Sequence, residues 1–170
     1  MKLDDIIKNR YSVRSYKDTK VEDEKIESIL LAGRLAPTAK NSQPQKIYVI
    51  KSEEALCKLR AIVSNNFNAP VVMIICGDSE KACILKSSGR NFLETDCAII
   101  QTHMMLKATE LGLGTCWIGR FMPEEVKQTF NLLDNEIPMG ILLVGYATDD
   151  CEPNPRHFER NELQEFVKYL

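Results

Sequence analysis

The apolar positions of this chain follow two spacings, one helical and one that marks buried strands. A short helix over Leu3 to Asn9 runs into the polar stretch RYSVRSY, and a second helix is predicted from about Glu22 to Leu35. In the latter, Ile26, Ile29, Leu30 and Gly33 share one face, and Ala36-Pro37 ends the element. The Pro-, Asn-, Ser- and Gln-rich segment PTAKNSQPQ reads as a loop before the strand KIYVI, and Ser52 caps a helix over Glu53 to Val63. After Pro70, the continuous run VVMIIC closes on a Gly-Asp turn, as suits a strand buried on both faces. The stretch from Asp78 to Asn91 is polar and weakly patterned.

From Phe92 to Leu111 the chain is apolar almost all round, which predicts a central buried helix terminated by Gly112. A short strand, TCWIG, comes next, then a helix opened by Pro123 (PEEVKQTFNLL) and the strand MGILLVGYA. The tail DDCEPNPRHF is irregular, and a last helix is predicted over Asn161 to Tyr169. With no internal repeat and no linker, the pattern describes one α+β domain over residues 1–170, with a few strands and five or six helices.

Composition narrows the classes of function. The 22 basic and 24 acidic residues, net charge −2, are scattered without the basic stripe that nucleic acid would demand. The N-terminus has no apolar core of a secretory signal, and no apolar stretch is long enough to span a bilayer, so a cytoplasmic location away from membranes is expected. The six cysteines contain no CxxC pair and there are two histidines, so no zinc pattern assembles and no metal is expected. Cys57, Cys76 and Cys97 fall in apolar periodic segments and are expected to be small buried hydrophobes.

Four segments carry candidate chemistry. Arg10, Ser12 and Arg14 alternate, so an extended backbone places them on one side, where two guanidinium forks and a hydroxyl suit a phosphate; solvated surface charges would have the same spacing. The loop Pro37 to Pro44 offers amides and hydroxyls to a polar planar ligand, although a plain connection would serve equally well there. In Gly112 to Gly119 a helix end delivers backbone N–H groups, and Gly119 lets main chain approach something flat, while Trp117 reads equally as a core aromatic. Pro153-Asn154-Pro155-Arg156 presents one more cation from a rigid tail.

In this order the four segments resemble the nitroreductase family of flavoproteins: Arg-x-Ser-x-Arg, then Ala-Pro-Thr-x-x-Asn-Ser-Gln-Pro, then Gly-Leu-Gly-Thr-Cys-Trp-Ile-Gly, then Pro-x-Pro-Arg. The resemblance spans Arg10 to Arg156. It implies a sandwich of helices around a central, mostly antiparallel sheet, assembled as a homodimer with FMN sites shared between subunits. Arg10, Ser12 and Arg14, with the intervening Tyr11, are implied to hold the phosphate and ribityl end of FMN, with Arg156 and its neighbour Asn154 closing the phosphate site. Pro37, Thr38, Ala39, Asn41 and Gln43 are implied to reach the flavin of the partner subunit. Cys116, Trp117, Ile118 and Gly119 are implied to line the isoalloxazine, with the Gly119 amide donating to N5.

The implied activity is hydride transfer from NAD(P)H to a small oxidant, a nitroaromatic or quinone, by a ping-pong cycle in which no side chain acts as acid or base. A flavin enzyme of narrower scope, such as a dehalogenase or dehydrogenase, a non-catalytic FMN-binding protein, and a thiol redox centre at Cys116 are the alternatives. Three departures from the family pattern stand out: Asn154 where a Lys is common, Gln45 in place of a Trp, and a short stretch between Val71 and Asp96 where larger members insert helices.

Overall fold

In the computed structural model, which describes residues 2–170, four strands form one sheet: β1 (Gln45–Ile50), β2 (Val71–Asp78), β3 (Gly114–Ile118) and β4 (Glu136–Gly145). Their order is β1-β2-β4-β3, and every adjacent pair is antiparallel. The helices are α1 (Leu3–Asn9), α2 (Asp23–Arg34), α3 (Glu53–Ile62), α4 (Leu93–Glu110), α5 (Pro123–Phe130) and α6 (Leu163–Phe166). No helix among the described residues is long and apolar enough to cross a membrane.

The alternation of β2 explains its unbroken apolar run. Val71, Met73 and Ile75 face a core layer completed by Ile26 and Ile29 of α2 and by Cys97, Ile100 and Met104 of α4. Val72, Ile74 and Cys76 face the opposite layer, with Leu56 and Leu59 of α3 and Val126 of α5. Both faces of the central strands are therefore covered, and each fully buried aliphatic side chain contributes about 1.5–3 kcal/mol relative to an exposed one. The exposed ion pairs, such as Lys58–Glu54, contribute about 0–1 kcal/mol each, so the two apolar layers hold the fold. Gly33 lets α2 close on α4, since a Cβ there would lie 2.9 Å from Met104 Cγ.

Several expectations are corrected. Strand β4 begins at Glu136, three residues before Met139, and includes Pro138, because a bulge opposite Ile75 and Cys76 accommodates a residue that cannot donate to the ladder. Helix α5 stops at Phe130 instead of continuing through Leu133, because Asn131 adopts a left-handed conformation (φ 51°). The last helix shrinks to Leu163–Phe166, a single turn whose Leu163 and Phe166 are exposed and bury nothing that would extend it. Cys57 is exposed: α3 turns Leu56 and Leu59 inward, and Cys57 lies off that stripe, its thiol 3.4 Å from Glu53 Oε1.

Candidate functional site

The segment from Arg10 to Tyr16 is extended and is fastened to the sheet at both ends. Val13 N–H donates to Thr115 O at 2.9 Å beside a parallel bridge between Ser12 and Thr115. Farther along, Tyr16 bridges Ala147, and Lys17 N–H donates to Tyr146 O at 2.8 Å. Val13 is buried beneath Gly114, which leaves its alternating neighbours Ser12 and Arg14 for the outer side.

There they meet the C-terminal tail. A cavity of about 320 Å³ is lined by Arg10, Tyr11, Ser12, Arg14, Asn154, Arg156, His157 and Arg160. It holds four guanidinium groups and no carboxylate. None of these arginines has an ion-pair partner among the described residues. The hydrogen bonds of the Arg14 and Arg160 side chains go to main-chain carbonyls: Arg14 to Ser12 O at 3.3 Å, Arg160 to Glu159 O at 2.6 Å. Uncompensated cations converging on a cavity make an anion site, and their forks match phosphate oxygens. Tyr11 holds the tail in place, its hydroxyl donating to Cys151 O at 3.0 Å. Asn154 has a local task, its Oδ1 accepting from Arg156 N–H at 3.1 Å at the start of the 3₁₀ turn Pro155–His157. The residue standing where a Lys is common thus shapes the turn that presents Arg156.

Arg14 also borders a second cavity of about 200 Å³, with Asn65, Phe67, Cys116, Trp117, Ile118, Gly119 and Arg120. A Cβ built on Gly119 would have nothing within 4 Å, so main chain is open to a flat ligand at that point. Burial pushes the Cys116 thiol up from its usual pKa, against the opposing influence of Arg14 and a hydrogen bond with Ser12. All six cysteines are unpaired, and a thiol held protonated inside a strand is a poor nucleophile, so the structure does not favour a thiol redox centre.

The cavities thus bring together Arg10, Tyr11, Ser12, Arg14, Asn154 and Arg156 at one end and Cys116, Trp117, Ile118 and Gly119 at the other. Pro37, Thr38, Ala39, Asn41 and Gln43 line neither. They form a separate loop against the first turn of α4, where Asp96 accepts from Ala39 N–H at 2.9 Å. Sequence reasoning missed His157, Arg160, Asn65, Phe67 and Arg120. The i, i+4 spacing of Arg156 and Arg160 was a visible signal for one of them, whereas nothing local pointed to Phe67, a left-handed residue (φ 48°) in the connection before β2.

Gly114 joins fold and site. An added Cβ would lie 2.5 Å from Val13 Cγ2 and 2.9 Å from its Cβ, the second an atom that cannot swing away. Gly114→Ala is expected to lose about 1–3 kcal/mol of stability by overpacking. Urea unfolding checks this, with Gly119→Ala expected to unfold as the parent does.

An antiparallel sheet with helices on both faces makes this an α+β protein, and its acid-free arginine cavity shares Arg14 with the slot at Trp117, Ile118 and Gly119. The Nitroreductase family model matches residues 7–73 and 63–146, and the chain belongs to that family. A nitroreductase family protein of Clostridium difficile is 40% identical, with a TM-score of 0.93 over 99% of this chain and 98% of that one. A Methanothermobacter thermautotrophicus protein provisionally named NADH dehydrogenase/NAD(P)H nitroreductase is 30% identical over 91% of this chain and 85% of its own length. An FMN reductase [NAD(P)H] of Bacillus subtilis is 28% identical over 85% of this chain and 66% of its own length.

Proposed function

We propose that this protein is an FMN-dependent oxidoreductase that passes hydride from NAD(P)H to a small oxidant such as a nitroaromatic or quinone, reductant and oxidant using one site in turn. The observation that carries this reading is the acid-free cavity lined by four arginines, which shares Arg14 with the slot lined by Trp117, Ile118 and Gly119. Family membership and the reductase names of the relatives support it.

The residues present fit FMN. Arg10, Arg14, Arg156 and Arg160, which have no protein counter-ion among the described residues, would hold the phosphate dianion. Ser12 and Tyr11 would take the ribityl end, and the exposed main chain at Gly119 would meet the ring. Bound FMN supplies the hydride acceptor and donor; the protein supplies position, charge and access. Neither cavity contains a carboxylate, in keeping with a reaction that asks no side chain for a proton.

The reading includes a single domain acting as a homodimer in the cytoplasm, with the loop Pro37 to Gln43 completing the partner's site. Its separation from the cavities of its own chain and the exposed Leu31, Leu35, Phe158 and Phe166 support that assembly.

Shared use of one site predicts parallel double-reciprocal plots against NAD(P)H at several acceptor concentrations. Intersecting lines would establish a ternary complex and sink the alternating picture. Absence of turnover with every nitroaromatic and quinone tried, in protein that does bind FMN, would overturn the proposed reaction.

A further inference from the structure

The loop that follows α2 is short, conformationally costly and tied down by one buried carboxylate. Lys40, Asn41 and Gln43 all lie in the left-handed region, with φ of 53°, 54° and 48°. Single residues there cost of order 1–3 kcal/mol when the surroundings do not hold them. Besides the main-chain bonds of the turn itself, Asn41 N–H to Thr38 O and Ser42 N–H to Ala39 O, two backbone N–H groups of this loop donate to side-chain oxygens. Gln43 N–H donates to Thr38 Oγ1 at 3.1 Å, closing the loop on itself. Ala39 N–H donates to Asp96 Oδ1 at 2.9 Å, tying the loop to a side chain 57 positions away.

Asp96 is placed for that task. It lies in the first turn of α4, where the N-terminal end of the helix favours negative charge, and it is 2% exposed. Its second oxygen, Oδ2, is buried and has no hydrogen-bond partner. A buried carboxylate is costly unless it is paired or hydrogen-bonded, and the hydrogen bond this side chain accepts comes from the loop. Asn41 next to it is exposed, and its side-chain amide has no hydrogen-bond partner among the described residues, which leaves it free for a ligand.

We infer that Asp96 is a positioning residue: through Ala39 N–H it fixes the strained turn at Lys40 and Asn41, and thereby sets where Thr38, Ala39 and Asn41 meet the flavin. This rests on the proposed reading of the loop as the second half of an FMN site. Asp96 touches no cofactor itself and acts through the loop alone.

Three variants of the full-length protein test it, with FMN affinity measured by quenching of flavin fluorescence well below the unfolding temperature. Asp96→Ala removes the acceptor and is expected to weaken FMN binding about tenfold or more. Asp96→Asn keeps an acceptor of the same shape and is expected to restore most of that loss. Ala39→Pro deletes the donor from the other side. Thr38 is already extended (φ −129°, ψ 155°), as a residue before proline must be, and position 39 opens a helical turn, where proline is tolerated. Ala39→Pro is expected to match Asp96→Ala, and the double variant should be no worse than either alone.

Should Asp96→Ala prove unstable, Ala39→Pro carries the test unaided. Asp96→Ala and Ala39→Pro with parental FMN affinity, while Arg14→Ala binds weakly, would overturn the inference and leave the flavin site standing. Parental protein that binds no FMN would overturn the functional reading instead. Equal damage from Asp96→Asn and Asp96→Ala would mean that the charge matters and the hydrogen bond does not, which also overturns the inference.

Discussion

Replacing Arg14 with alanine is expected to weaken FMN binding by about one to two decades, because a charge-assisted hydrogen bond contributes roughly 1.5–3 kcal/mol and each 1.4 kcal/mol is tenfold. Arg14 is the residue to choose because it borders both the arginine cavity and the slot at Trp117. Its side chain makes one hydrogen bond, 3.3 Å to Ser12 O, and no ion pair among the described residues, so its removal leaves no unpaired carboxylate behind and the loss reads chiefly the ligand contact. Two controls sharpen the result. Riboflavin, which lacks the phosphate, should bind parent and variant similarly. The parent's FMN affinity should fall as salt is added, and the variant's should fall less steeply, because one cation fewer faces the phosphate. FMN titrations at two ionic strengths measure both. Unchanged affinity in Arg14→Ala would move the phosphate out of this cavity.

Mixing Arg14→Ala with Asn41→Ala is expected to recover sites that neither variant has alone. In the proposed homodimer each site takes Arg14 from one subunit and Asn41 from the other. A mixed dimer then collects both lesions in one site and none in the second. With random exchange about half the dimers are mixed, so about a quarter of all sites should regain FMN binding and turnover. A site contained within one chain predicts no recovery, since every site would still carry a lesion. The distribution of residues in the single chain motivates the experiment: Arg14 lines the cavities, whereas Asn41 sits on the loop beside α4 that lines neither. Refolding the variants together and titrating FMN measures the recovered fraction. Zero recovery with demonstrated subunit exchange would rule out the shared site.

Local pattern was enough for most of the fold. The i, i+3, i+4 spacing of Ile26, Ile29 and Leu30 and the unbroken VVMIIC run state which faces turn inward, and the structure buries Ile26, Ile29 and the VVMIIC run and packs Leu30, half-buried, against the same core. Burial of one face is a property of a few adjacent residues, so it is written within a single element. The order of the motifs around Arg10, Asn41, Trp117 and Arg156 likewise identified the family.

What the sequence by itself could not determine depends on residues far apart in the chain. The strand reads as starting at Met139 until the bulge at Met139 in β4, opposite Ile75 and Cys76, shows how Pro138 joins it, and Cys57 reads as core until neighbouring elements choose which side of α3 to cover. The arginine cavity exists because Val13 packs under Gly114 on one side while the tail returns to Tyr11 from 140 residues away on the other. That return also brings His157 and Arg160 into the cavity, and the connection before β2 brings Phe67 to the slot. Asp96 reads as an ordinary acid in the first turn of a helix, and only the packing of α4 against the loop after α2 turns it into an anchor. Propensity and periodicity act over a few residues, whereas convergence of charges and loops is set by which elements share a sheet and a core, and that was decided by the tertiary structure alone.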